Sequence, residues 1–517
     1  MKTFLTQHAE KIKGTLSGFD RVRFRGTLRW LANTKGLMSW LWRAKVLLKD
    51  FKEYSMGLTD QIKQSTKDLA QQQERPIQYL PSSSVRKENV ARKIAEQDGI
   101  TEGLVAVLTA VEPCKTFQVR RNREAKKLEL HSHNGKCLHQ YFYLIDPELG
   151  WLNVRLQTWF PFTVHVVING REWLSRQMVK EGIDFERREN CFADVANLDL
   201  AQQLLHNQSK TDWWQLLDRV LGQVHRSHSR LFGDDLMQHY WSADETEWAT
   251  DVMFKSSEAL SALYPRLVRH AMIGFGCQDI LRFLGKRGSV QQFKKAELIS
   301  HLGSRVEGVR VKHALNGNSV KMYDKQRSVL RVETTINQTR QMKVFRASEN
   351  NPTGAPSWQR MRKGVADLNR RGEISQKSNE RYLEGLSAVD ASETLAEMTA
   401  AVCQRTKWKG RSVRALNPLA QDDAKLLQAI HSGEFVLEGF RNRDLRQVLF
   451  GDADSPEERR RQMAKVTRLI RILRAHGLVH KISKTHRYTV SPQGRNTITA
   501  LLTARAANTK ELLQISA

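Results

Sequence analysis

The chain has 517 residues and an apolar fraction of 40%, enough for buried cores in about three domains of ~150 residues and against global disorder. Its 83 Lys and Arg outnumber 55 Asp and Glu for a formal net charge of +28, so the expected partner is a polyanion, nucleic acid before any other. No run approaches the ~18 apolar residues of a membrane span and no signal peptide opens the chain, so no membrane partner and a cytoplasmic location are expected.

Residues 1–110 read as a basic, mainly helical domain with one strand, "RVRFRGTLRW". There Arg21, Arg23, Arg25 and Arg29 alternate with Val22, Phe24, Leu28 and Trp30, giving a half-buried strand whose cationic face suits a phosphate backbone or plain solvent. "RPIQYLPSSSVRKE" (75–88) reads as a loop. Residues 111–195 form an antiparallel sheet domain of short strands, with Asn134-Gly135 expected as a hairpin turn and a helix from about Glu172. Within it, Arg155, Gln157 and Trp159 share a strand face that offers a cation and an aromatic ring to single-stranded nucleic acid, or buries the ring.

Residues 196–300 read as helical, with core aromatics Trp213, Trp214, Trp248 and Phe254, and with Glu247 and Asp251 one helical turn apart as a paired-carboxylate metal candidate or an ordinary acidic turn. A three-stranded meander (301–350) follows, turning at Asn316-Gly317-Asn318 and packed with the sheet domain. A helical linker region (351–415) opens with the loop "ENNPTGAPS" and leads to a C-terminal module (416–517).

That module runs helix, helix, long helix, then two wing-like strands, "RILRAHGLVHKISKTHRYTVSPQGR", and resembles a winged helix-turn-helix domain. In the long helix Met463, Val466, Ile470 and Leu473 share one face, while Arg461, Lys465 and Arg468 lie opposite, where they can enter a major groove. Lys484 and Arg487 add charge on the wing. Between Ser455 and Arg495 eleven Lys and Arg stand against two acids, the footprint of phosphate contact. The expected fold is therefore α+β, multi-domain, with antiparallel central sheets, helical insertions and a C-terminal winged helix.

Chemistry concentrates in "SVKMYDKQRSVLRVETTI" (319–336). Lys321, Tyr323 and Lys325 share a face of one strand; Arg331, Glu333 and Thr335 share a face of the next. Keeping both apolar sets in the core requires an odd loop, Gln326–Ser328, which sets Tyr323 opposite Arg331 and Glu333 opposite Lys321. A phenol among cations suits attack on a phosphate, and the carboxylate holds a metal or takes the proton. A tyrosine that packs, hydrogen-bonds or stacks on a base gives the same pattern.

Y-D-K followed by L-R-V-E resembles the catalytic-tyrosine segment of plasmid rolling-circle replication initiators and filamentous-phage replication proteins. The resemblance implies a tyrosine, Tyr323, that nicks one DNA strand and stays joined to its 5′ phosphate, with Glu333 as metal ligand or base and Mg²⁺ or Mn²⁺ as the cation. In the wider class two histidines flanking one apolar residue hold the metal. Here "TVHVVIN" has Thr163 at the first position and keeps His165, while "HSH" supplies His131 and His133 around a serine beside the expected turn, with His139 on the opposite face. The five cysteines, Cys114, Cys137, Cys191, Cys277 and Cys403, contain no C-x-x-C pair, which speaks against a disulfide framework or structural zinc.

Two functions follow. One is a mobile-element replication initiator or transposase that nicks DNA through Tyr323, with the winged helix reading duplex sequence. The other is a non-catalytic DNA- or RNA-binding regulator or ribonucleoprotein component. The sequence leaves the oligomeric state open.

Overall fold

The computed structural model of the protein describes residues 1–81, 84–232, 238–285, 298–305, 308–340, 342–348, 350–387, 395–431, 435, 439–482 and 485–506. They form two compact units, one from Met1–Met272, Phe283–Gly285 and Leu298–Leu386, the other from Ile273–Arg282 and Ser387–Ala517. Among the described residues no helix is long and apolar enough to cross a membrane.

The first unit is α+β, built on an eleven-stranded mixed sheet. Its left half holds β1 (Ile12–Leu28), β2 (Ile77–Tyr79), β3 (Gly103–Asn122), β4 (Lys127–Asp146), β5 (Gly150–Gln157) and β6 (Val164–Asn169). A small hairpin, β7 (Phe185–Arg188) and β8 (Cys191–Val195), precedes the right half: β9 (His239–Phe254), β10 (Leu298–Arg305), β11 (Gly308–Leu315), β12 (Asn318–Lys325) and β13 (Val329–Ile336). The strand order is β10-β11-β12-β13-β9-β1-β6-β5-β4-β3-β2. Only the short β2–β3 pair is parallel among the described strands.

β1 is thus a central strand, not part of a separate N-terminal domain. It pairs with β9 from Ile12↔Phe254 to Leu28↔His239, and that long ladder fuses the N-terminal residues to the rest of the sheet. Along β1, Val22, Phe24 and Leu28 are buried while Arg21, Arg23 and Arg25 are exposed, so the alternation holds. Arg29 lies just past the strand end and stacks on Tyr240 at 3.8 Å.

Two expectations are corrected. The segment around Glu247 is the strand β9, not a helix. Both of its faces are occupied, one by charged partners and one by the helix Leu368–Leu386, so its polar residues show no clean alternation of two. Asn134-Gly135 is no turn either. β4 runs straight through it, Asn134 facing Lys115 and Gly135 facing Cys114, and the hairpin closes at residues 123–126. Neither residue has positive φ, whereas Lys126 does (46°), because the full-length pairing with β3 outweighs the local turn preference.

The meander follows its expected geometry. β11 and β12 join through Asn316-Gly317, at φ 50° and 79°, which suits a tight two-residue hairpin. β12 and β13 join through Gln326–Ser328, with Lys321↔Glu333 and Tyr323↔Arg331. A further hairpin, β14 (Lys343–Arg346) with β15 (Ser357–Arg360), follows, so a strand occupies the end of the segment expected to be a loop.

In the second unit, helices Gln421–Ile430, Asn442–Phe450 and Pro456–Ala475 precede the strands β18 (Val479–Lys481) and β19 (Tyr488–Val490) and a closing helix Pro492–Ala506. An earlier two-stranded pair is β16 (Thr406–Trp408) with β17 (Arg411–Val413). Ser455 caps the long helix through Glu458 N at 3.1 Å, with Pro456 in the first turn. Val466, Ile470 and Leu473 are buried among Leu426, Phe440 and Leu445, while Arg461, Lys465 and Arg468 are exposed. Met463 departs from its wheel position and sits exposed at the rim.

Candidate functional site

The central strands bring a dense set of charges together on one sheet face. Tyr323 Oη donates to Glu333 Oε2 at 2.7 Å, and Lys321 Nζ donates to Glu333 Oε1 at 2.6 Å and to Glu247 Oε1 at 3.1 Å. Arg21 pairs with Glu245 at 2.7 Å and Glu247 at 3.1 Å. Asp20 enters because β1 bulges between Phe19 and Arg21, which turns an extra side chain onto this face. One oxygen from each of Asp20, Glu247 and Glu333 lies within 4.8 Å of the other two.

Arg331 is fully buried beneath this cluster. It grips Asp251 with Nε at 2.6 Å and Nη2 at 2.8 Å, and Asp20 with Nη1 at 2.8 Å. Arg171 adds a second cation 3.0 Å from Asp251. Glu247 and Asp251 therefore do not form a metal pair, since four strand residues separate them by ~13 Å. Glu247 belongs instead with Asp20 and Glu333.

The protonation states follow. Burial, then Arg331 acting against Glu333, leaves the Asp20 carboxyl raised above its usual range. Burial and the neighbouring Glu333 raise Glu247 as well. Glu333 is itself buried, yet Lys321, the Tyr323 hydroxyl and Arg331 together hold it below its usual value. Burial and then Glu333 push the Tyr323 phenol well above its usual range, with Arg331 opposing. The cationic field expected around Tyr323 is thus absorbed by carboxylates, because Arg331 is committed to Asp251 and Asp20 and Lys321 to Glu333 and Glu247.

Three hard oxygen donors, with the Asp20 and Glu247 carboxyls raised, are a donor set suited to Mg²⁺ or Mn²⁺, whose charge relieves their mutual repulsion. Lys321 Nζ bridges two of them, so a bound cation would have to take over its contacts.

No known family's sequence profile, no curated protein and no solved structure matches the chain.

The histidines do not gather at Tyr323. His165, on β6, lies four strand spacings from β12, about 19 Å across the sheet. It faces Asp244 at 3.7 Å, and burial with Arg25 and Arg155 lowers its pKa. His131 and His133 sit on β4, with His131 3.4 Å from Glu129. Since β4 is unbroken, His139 shares the face of His131 and His133 by strand parity, contrary to expectation, but it is buried.

Of the expected nucleic-acid residues, Arg25 pairs with Asp244 at 2.6 Å and Arg155 with Glu112 at 2.8 Å. Gln157 is buried, its amide donating to the Lys115, Trp159 and Phe160 carbonyls, and so is unavailable as a stacking neighbour. Lys325 is buried 3.8 Å from Glu189, which removes it from any nucleic-acid surface. Arg487 Nη2 lies 3.3 Å from the Gly439 carbonyl, and Lys484 lies outside the described residues.

Sequence reading missed three features. Asp20 is visible only through the bulge. Lys312 and Arg310 on β11 stand opposite Lys321 and Tyr323 and extend the cationic strip, which the strand alternation could have shown. The β14–β15 hairpin sets Phe345 opposite Trp358 and Lys343 opposite Arg360. Phe345 is 57% and Trp358 68% exposed, their rings 5.7 Å apart, so two aromatic rings flanked by cations face solvent.

Proposed function

We propose that the protein is a nucleic-acid strand nicking and joining protein of a mobile element, acting through Tyr323. The observation that carries this reading is the Tyr323–Glu333 hydrogen bond inside the Asp20–Glu247–Glu333 cluster. A base within 2.6–3.2 Å of the proton it must take is the first requirement of general-base catalysis. Glu333 accepts the phenol proton as Oη attacks the phosphate. The new bond joins Tyr323 to phosphorus, the bond to the 3′ oxygen breaks, and that oxygen leaves as a 3′ hydroxyl, taking a proton from water while Glu333 returns its own to solvent. Lys321, held charged by Glu333 and Glu247 against the effect of burial, neutralises charge building on the phosphate. Mg²⁺ or Mn²⁺, held by Asp20, Glu247 and Glu333, would supply Lewis-acid stabilisation.

The half-exposed Arg21 guanidinium is the point of entry, where a backbone phosphate replaces Glu245 and Glu247 as its partner. The aromatic pair Phe345–Trp358 suits stacking of unpaired bases. The second unit supports duplex recognition as a winged helix-turn-helix, with Arg461, Lys465 and Arg468 exposed on one helix and the β18–β19 hairpin as the wing. A non-catalytic DNA- or RNA-binding role is the second reading. It is favoured by the Tyr323 phenol, which burial and Glu333 push well above its usual range.

Incubation of labelled single strands with the protein and Mg²⁺ or Mn²⁺ tests the first reading on a denaturing gel. A covalent adduct that Tyr323→Phe abolishes while leaving binding intact is expected. An adduct that survives Tyr323→Phe would move the chemistry elsewhere, and tight binding with no adduct leaves the binding role.

A further inference from the structure

Outside that cluster, β3 and β4 bring two cysteines and a histidine together. Cys114 lies opposite Gly135 and Cys137 opposite Glu112, so the thiols meet diagonally across the ladder. Cys137 and His139, two residues apart on one strand, share a face. The two Sγ atoms are 3.3 Å apart, and Cys137 Sγ is 3.9 Å from His139 Nδ1. One donor atom from each of the three residues lies within 4.8 Å of the other two.

Zinc bonds of ~2.3 Å to sulfur and ~2.0 Å to nitrogen, at tetrahedral angles, place two sulfurs ~3.8 Å apart and sulfur and nitrogen ~3.5 Å apart. The observed separations differ from these by about 0.5 Å and about 0.4 Å. We propose that Cys114, Cys137 and His139 form a site for a thiophilic divalent cation of the zinc type, with a fourth position for water.

The surrounding chemistry is consistent with ligation. Burial, then Arg155, lowers the His139 pKa to about 4, so the imidazole is neutral near pH 7 and has a lone pair to give. Without metal, Nδ1 lies 3.2 Å from the Cys137 carbonyl. A proton shared there moves to Nε2 on ligation, a change of tautomer with no proton lost. The hydrogen bond with Cys137, and then Arg155, lower the Cys114 thiol against the effect of burial, while the same contact and burial push the Cys137 thiol up. Ligation releases one proton from each thiol, and the two thiolates balance the cation's charge. Both cysteines are only half-buried. Two thiolates and an imidazole form a soft set, unlike the all-oxygen cluster at Glu333, so the two sites prefer different cations.

Cobalt substitution of the full-length protein, stripped with a chelator under reducing conditions, tests it. One equivalent of Co²⁺ should give a sulfur-to-cobalt charge-transfer band and the visible bands of tetrahedral cobalt. Cys114→Ser and Cys137→Ser should each lose the two-thiolate spectrum, and Cys191→Ser, Cys277→Ser and Cys403→Ser should keep it. His139→Gln should retain a thiolate band but weaken binding at least ~10-fold, as even outer ligand partners do. Absence of the band, its persistence at full two-thiolate intensity in Cys114→Ser, or a Cys114–Cys137 disulfide in freshly purified protein would overturn the site. Co²⁺ bound by Asp20, Glu247 and Glu333 gives no sulfur band, so the two sites remain distinguishable.

Discussion

Replacing Arg331 with Met should destabilise the sheet unit more than any surface charge change. The guanidinium is fully buried and makes three hydrogen bonds to Asp251 and Asp20 and a fourth to the Asn190 carbonyl at 2.6 Å. Removing one partner of a buried ion pair costs about 3–5 kcal/mol, because the other charge is left without compensation. Arg171 stays within 3.0 Å of Asp251, so the lower end, ~3 kcal/mol, is expected. Eleven of the twelve tryptophans, all but Trp408, belong to this unit, so tryptophan fluorescence in urea reports on it. With a slope near 3 kcal/mol/M the midpoint should fall by about 1 M. Asp251 in the native chain has a lowered pKa: burial raises it, but Arg331 and Arg171 outweigh that. Its contribution is therefore present above the unfolded value of ~3.9 and is lost as pH falls through the folded value. In Arg331→Met the Asp251 pKa rises instead, so its penalty is largest near pH 7 and fades on acidification. The stability gap between the two proteins should narrow as the solution is acidified. A midpoint within ~0.2 M of the native one at pH 7, or a gap that widens in acid, would refute the ion-network argument.

Three further outcomes are expected. Phe345→Ala with Trp358→Ala should weaken single-strand binding by at least ~10-fold, since stacking is worth ~1–3 kcal/mol per base, with the salt slope unchanged in anisotropy titrations. Changing Arg461, Lys465 and Arg468 together to Ala should lower the slope of log K against log salt for duplex DNA by ~0.9 for each phosphate no longer neutralised. Glu247→Gln should weaken Mn²⁺ binding, read by electron paramagnetic resonance, while leaving duplex affinity unchanged, because the proposed reading assigns the duplex to the long helix of the second unit.

The register of β12 and β13 was legible because both strands carry an apolar set that must stay buried, and only an odd loop permits it. That placed Tyr323 by Arg331 and Glu333 by Lys321. β9 was illegible for a physical reason. Two of its core-side positions, Trp248 and Thr250, meet polar groups of the helix Leu368–Leu386, so neither face reads as apolar. Glu247 and Asp251 also share a face under either helical or strand periodicity. Asn134-Gly135 is a strong local turn signal that the twenty-residue pairing of β3 with β4 overrides. That error hid the meeting of Cys114 with Cys137, which depends on the hairpin closing at 123–126. Asp20 needed a bulge, and bulges leave little mark in a single sequence.

On the proposed reading Tyr323 becomes covalently joined to a nucleic-acid phosphate. Protease and nuclease digestion after incubation with single-stranded DNA and Mn²⁺, followed by mass spectrometry, should find a nucleotide phosphate on the peptide carrying Tyr323. A phosphate adduct on any other residue, or strand cleavage with Tyr323 unmodified, would contradict the account.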